Sequence, residues 1–330
     1  MASSVRRALL RPEFVGRQCV VVVRDGRRPL ARAVTRLEDG GLGYVGFFEA
    51  HDDLAATRLL FDRAIAWLRE RGATRIIGPS QGDTWHAYRL SVGPYDCRPF
   101  LSEPYNPPYY ERLWLDAGFA TLAEYASHRM DEPRRLWERL APRLEAARSA
   151  GYGFETLRLD RFDRELERLY ALSCRAFQGN FLYRLISFEH FRSLYAGIER
   201  LLDPELVVFA VAPDGSDAGF FFSYPDHARS VAALRGGDGL TDRIRFLAAR
   251  RHSVDTVNMK SLAVLPEHRR AHVGSALTAA IYEAALAKGY RKTHHCLIQQ
   301  DNPSARFEAG MGRLLRRYRL YEHVETRRAS

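Results

Sequence analysis

One arrangement of apolar runs and glycines occurs twice in this chain, and it restricts the fold to same-direction strands joined by crossover helices. In the first copy Leu42 to Phe48 reads as a strand. Leu54 to Glu70 follows as an amphipathic helix with Leu60, Ala64 and Trp67-Leu68 inward, Gly72 ends it, and Thr74 to Ile77 opens the next strand. In the second copy Asn258 to Leu265 is the strand, Gly274 to Lys288 the helix, Gly289 the stop and Thr293 to Gln299 the next strand. Both continue to an Asn-Pro helix start, Asn106-Pro107 and Asn302-Pro303, and then to Gly118 and Gly310. A tight turn cannot join parallel strands, so each helix must cross a face of its sheet.

The second copy carries a ligand signature. Residues 262–277 read Leu-Ala-Val-Leu-Pro-Glu-His-Arg-Arg-Ala-His-Val-Gly-Ser-Ala-Leu: a strand ends at Pro266, a basic loop follows and Gly274 opens a helix. A glycine at a helix mouth lets backbone N–H groups approach a guest, and the positive helix end favours an anion. Arg269 and Arg270 add charge beside those donors. A diphosphate suits the arrangement.

This stretch resembles the acyl-thioester loop of the GNAT acyltransferase superfamily, V-x-P-x-x-R-G-x-G-x-G/A running into a helix. Val264, Pro266, Arg269, Gly274 and Ala276 match, while His272 stands where the family places the first glycine of its core. The resemblance implies that the coenzyme A pyrophosphate sits at the helix mouth, against Arg269, Arg270, Val273, Gly274, Ser275 and Ala276. It implies too that strand 258–265 splays from strand 293–299, with the pantetheine arm in the gap on backbone around Leu262 and Val264. Asn302, Ser304 and Arg306 are expected as further donor contacts.

The resemblance implies direct attack of an amine on an acyl thioester, which requires a base, a polarised carbonyl and an acid for the thiolate. Many relatives have a glutamate near the end of the first strand, where this chain has Met259-Lys260-Ser261; Lys260 is the candidate there, with a solvated lysine the competing reading. His294 and His295 alternate across the next strand, so one of them faces the cleft side of a regular pleat. His295 is taken as the candidate base, against a satisfied core or surface histidine. The usual tyrosine after Asn302 is missing. Tyr321 is the candidate acid, and a core-facing role is the alternative for both Tyr318 and Tyr321.

Superposing Gly72 on Gly289 brings Thr57 to the place of Gly274 and Asp52 to that of Arg269. Asp52 and Asp53 would repel a pyrophosphate, so the first copy reads as a scaffold. The long connection from Ile77 to Asn106 holds Trp85, His86, Tyr88, Tyr95 and Tyr105, fitted either to pack on an acceptor or to form a surface loop. Between the copies, Pro133 to Arg148 reads as a charged helix and Gly151-Tyr152-Gly153 as a boundary. Phe154 to Leu159 is expected as a strand, Phe162 to Phe177 and Ser187 to Leu201 as helices, and Leu206 to Val211 and Ala218 to Ser223 as strands. The expected fold is α/β: two tandem GNAT-like domains, each a twisted mixed sheet flanked by helices. They are a degenerate one at 1–132, a helical linker at 133–153 and a complete catalytic one at 154–330.

Composition narrows the partners. The net charge is +10, and only Lys260, Lys288 and Lys292 among the 50 basic residues are lysines. The surplus attracts polyanions such as coenzyme A, an acyl-carrier protein or aminoacyl-tRNA. A tRNA donor would make this a Fem-like transferase, and a non-catalytic binding protein is the alternative from outside enzymes. The acceptor is expected to be a small-molecule amine. No apolar run approaches the roughly 20 residues of a membrane span, no signal peptide is evident, and Cys19, Cys97, Cys174 and Cys296 lack disulfide or metal spacing. A cytoplasmic, metal-free protein is expected.

Overall fold

The computed structural model describes residues 16–234, 236, 239–250, 254–302 and 310–324. The chain divides into two compact units. One gathers residues 1–96, 104–125 and 316–330, and the other residues 97–103 and 126–315.

The first unit opens with a hairpin, β1 (Gln18–Asp25) and β2 (Arg28–Leu37), which turns at Gly26. β3 (Leu42–Ala50) pairs antiparallel with β2 and parallel with β4 (Arg75–Gly78), and α1 (Leu54–Glu70) makes the crossover. The spacing of Leu60, Ala64 and Leu68 puts all three on one buried helix face. Gly72 leaves that helix at φ +90°, a conformation a side chain would resist. β5 (Leu90–Gly93), α2 (Tyr110–Asp116) and the start of β6 (Phe119–Met130) complete the unit. Its core stacks Phe48, Phe61, Trp114 and Phe119 around Leu60, Leu68 and Ile76.

The chain's last strand, β12 (Arg313–His323), supplies residues from Arg316 onward to this same unit. Tyr321 pairs with Gly78, and Tyr318 with Ser91. The C-terminal strand therefore does not close the later unit, as a domain running from 154 to 330 requires.

In the second unit, α3 (Pro133–Ser149) is not a linker. It buries Leu136, Leu140, Leu144 and Ala147, which share one core with Leu277 and Ile281. Each buried leucine contributes about 1.5–3 kcal/mol of transfer free energy, so the helix is held by packing. Then come β7 (Gly153–Thr156), α4 (Phe162–Phe177) and α5 (Phe188–Leu194). The helix expected to reach Leu201 stops at Leu194, because Gly197 turns at φ +82° before a short 3-10 turn, Ile198–Arg200.

β8 (Val207–Val211), β9 (Asp217–Pro225) and β10 (Thr256–Val264) form an antiparallel run, with α6 (Ala228–Ala232) and α7 (Leu240–Arg250) between the last two. β11 (Lys292–Gln299) then pairs parallel with β10 across the crossover helix α8 (Val273–Ala287). The strand–helix–parallel strand pattern thus recurs in both units, as the repeat requires.

Candidate active site

The two helices that follow the repeated strands end differently at their mouths. α1 is closed by its own chain: Asp53 is the N-cap, its carboxylate accepts from Ala56 N–H at 2.9 Å, and Thr57 Oγ1 donates to Asp53 O at 2.7 Å. Asp52 forms an ion pair with Arg112. An anion arriving there meets two carboxylates.

α8 has no such closure. Its N-cap is His272, whose side chain makes no capping bond and whose backbone sits at φ +55°. That is the left-handed conformation a glycine adopts freely and a histidine adopts at some cost. His272, where the resemblance implies a glycine, thus holds a backbone conformation suited to glycine. The first bond of the helix ladder runs from Ala276 N–H to His272 O at 3.1 Å, so the donors ahead of it lie outside the ladder.

A cleft of about 470 Å³ opens at this mouth. Leu262, Val264, Arg269, Gly274, Ser275 and Asn302 line it, together with Ala176, Phe177, Asn180, Ala263 and His272. The end of α4 carried no ligand motif in sequence, and its place in the cleft comes from folding alone. Arg269 is braced across the opening, with Nε donating to Val264 O at 3.2 Å and Nη2 to Ala176 O at 3.3 Å. Arg270 is exposed outside the lining. Val273 and Ala276 point the other way, fully buried in the core beneath the helix. Ser304 and Arg306 lie outside the described residues, as does the helix start expected at Pro303.

Beside the cleft the sheet opens. β10 and β11 pair only from Thr256–Lys292 to Met259–His295, although both strands continue well beyond. At the same point the β9–β10 register shifts between Met259 and Ser261, so Lys260 sits at a bulge. The two strands therefore part from Lys260 onward, as the resemblance implies.

The ladder also decides between the two histidines. Cross-strand partners share a face, so Tyr224, Asn258 and His294 lie on one face, and Ser223, Met259 and His295 on the other. His295 is buried toward α8, its Nε2 2.7 Å from the Tyr282 hydroxyl, which lies 2.7 Å from Thr293 Oγ1. The reading of His295 as the cleft base is thus corrected: it is a hydrogen-bonded core residue.

His294 heads a different network. Its Nδ1 is 2.9 Å from Asn258 Oδ1, and Asn258 Nδ2 donates to Asp226 Oδ1 at 3.2 Å. Asp226 also accepts from the backbone N–H groups of Leu101 and Ala228. Burial pushes the His294 imidazole down to about 4, against a smaller opposing pull from Asp226. Tyr321 belongs to the first unit's core, fully buried beside Trp114, and burial with Glu111 raises its phenol far above the ordinary range. It is a core residue of the first unit.

Residues 183–309 match the Acetyltransferase (GNAT) family. The second unit carries a GNAT domain. The chain is 26% identical over 194 residues to the bacterial ceramide synthase of Caulobacter vibrioides, spanning 59% of this chain and half of that protein. It is 23% identical over 300 residues to Protein YghO of Escherichia coli, spanning 85% of this chain and 73% of that one. Among solved structures, the GCN5-related glucosamine N-acetyltransferase region of a fungal GH3 β-N-acetylglucosaminidase superposes with a TM-score of 0.52. The identity is 16%, over 96% of this chain and 34% of that one. This likeness establishes the fold. Among the described residues no helix is long and apolar enough to cross a membrane.

Proposed function

We propose that the GNAT domain transfers an acyl group from a pantetheine thioester to a primary amine by direct attack. The observation that carries this is the uncapped mouth of α8 opening onto a cleft beside the point where β10 and β11 part. A pyrophosphate at Gly274 and Ser275, near the guanidinium of Arg269, suits the positive helix end. The pantetheine arm would then run along β10 past Val264 and Leu262, whose edge is free of β11. Backbone N–H groups there are suited to polarise the thioester carbonyl.

The donor is coenzyme A itself or the phosphopantetheine of an acyl-carrier protein. The ceramide synthase relative favours a fatty-acyl group and an amine that carries a hydrocarbon chain, so these head the substrate panel. The first unit, with α1 closed by Asp53, is proposed to be a scaffold copy that binds no donor.

The deciding experiment is thermal denaturation with saturating coenzyme A, fatty acyl-CoA or acylated carrier protein. A ligand that binds only the folded state raises the melting temperature, by about 2.7 kcal/mol of added stability at a hundred times Kd. If all three leave the transition unmoved, the thioester reading is wrong.

A further inference from the structure

We propose that His294 receives the acceptor amine through Nε2, with Asn258 and Asp226 as the positioning residues that hold its ring. The proposal rests on the acyltransferase reading above.

The network fixes the tautomer. A carboxylate only accepts, so Asn258 must turn its amide Nδ2 toward Asp226 and its Oδ1 toward His294. That oxygen is itself only an acceptor, so the proton of a neutral His294 lies on Nδ1. Nε2 is left with a lone pair, and it makes no hydrogen bond among the described residues. Asp226 is anchored by three donors, from Leu101, Ala228 and Asn258, and its other oxygen lies 4.0 Å from Nδ1 of His294. A carboxylate fixed at that distance favours the imidazolium when it forms.

The position fits the reaction. His294 pairs with Asn258 one step before the β10–β11 ladder ends, on the face opposite α8. His294 thus lies next to the point where the strands part, on the sheet face where α4, whose end lines the donor cleft, also packs. Burial keeps the imidazole neutral at physiological pH, so the lone pair is available. The groups acting on it are Asp226 after β9, Arg129 on β6, and Lys292 and His295 on β11 itself.

The step balances without a further reactant. The lone pair of the neutral amine forms a bond to the thioester carbon while the carbonyl π pair moves to oxygen. The nitrogen becomes acidic once that bond exists, and its proton passes to His294 Nε2. The oxyanion then collapses, the C–S bond breaks with its electrons on sulfur, and the imidazolium returns the proton to the thiolate. An amide and a thiol result.

The test uses the full chain with fatty acyl-CoA and a long-chain primary amine. His294→Ala is expected to lower kcat by about 10²–10⁴-fold, with coenzyme A still raising the melting temperature as in the wild type. Added imidazole should restore part of the rate. Asn258→Leu should lower kcat less and leave KM for acyl-CoA unchanged. Turnover of His294→Ala within a few-fold of wild type overturns the proposal while leaving acyl transfer intact. A variant that loses protection by coenzyme A and is not rescued by imidazole shows a structural role and overturns it equally. Wild-type protein that neither binds coenzyme A nor turns over defeats the acyltransferase reading itself, and the proposal with it.

Discussion

The Tyr282 hydroxyl lies 2.7 Å from Nε2 of His295, a contact made wholly inside the core between α8 and β11. It ties the crossover helix to the strand that follows it. Tyr282→Phe removes this partner from His295 and from Thr293 together, and an unsatisfied buried polar group costs about 1–3 kcal/mol. Urea denaturation should show a loss of that size, with coenzyme A affinity changed less than threefold. A large loss of donor affinity with unchanged stability would return His295 to the site.

The mouths of α8 and α1 should respond differently to substitution. Gly274→Asp places a carboxylate where a phosphate is expected, and Arg269→Ala removes both a charge and a brace on Val264 and Ala176. Each should weaken coenzyme A binding at least tenfold by calorimetry. Asp52→Ala and Thr57→Ala should leave binding within twofold, and Asp53→Ala should cost about 1 kcal/mol of stability as a lost cap. Equal losses of affinity at both mouths would show that the repeat assignment is wrong.

Stability should depend on acid through His294. Burial holds its folded imidazole near 4, whereas the unfolded side chain titrates near its ordinary 6.5. Between those values the unfolded chain binds the extra proton, so stability is complete above pH 6.5 and falls as the pH drops toward 4. The slope from this one group is at most about 1.4 kcal/mol per pH unit. His294→Gln cannot titrate, so its urea midpoint should fall less across that window. Identical pH curves for variant and wild type would show that the imidazole is not held neutral by burial.

Salt distinguishes the polyanions that the surplus of +10 would attract. Binding to a nucleic acid loses affinity steeply with salt, with a log–log slope of about 0.7–0.9 per phosphate contact. A free acyl-CoA offers only a few phosphate charges. Turnover from low to moderately high salt should therefore decline modestly and survive ribonuclease. Activity abolished by ribonuclease would identify aminoacyl-tRNA as the donor.

Local order was readable without the fold. The apolar spacing and flanking glycine gave α1 as Leu54–Glu70, and α4 spans Phe162–Phe177 as its pattern implied. The basic loop before Gly274 marked a cleft that folding does assemble, with Arg269, Ser275 and Asn302 in its wall. These features are short-range, set by helix period, capping chemistry and backbone freedom within a few residues. Alternation alone required His294 and His295 to face opposite ways. Which of them met Tyr282 and which met Asn258 depended on pairing with Asn258 and Met259, more than thirty residues earlier. Tyr321 was misplaced for the same reason: its strand partner is Gly78, and no local pattern records a pairing across most of the chain. Sequence determined the elements and the open helix mouth, and long-range strand pairing decided which side chains share a face.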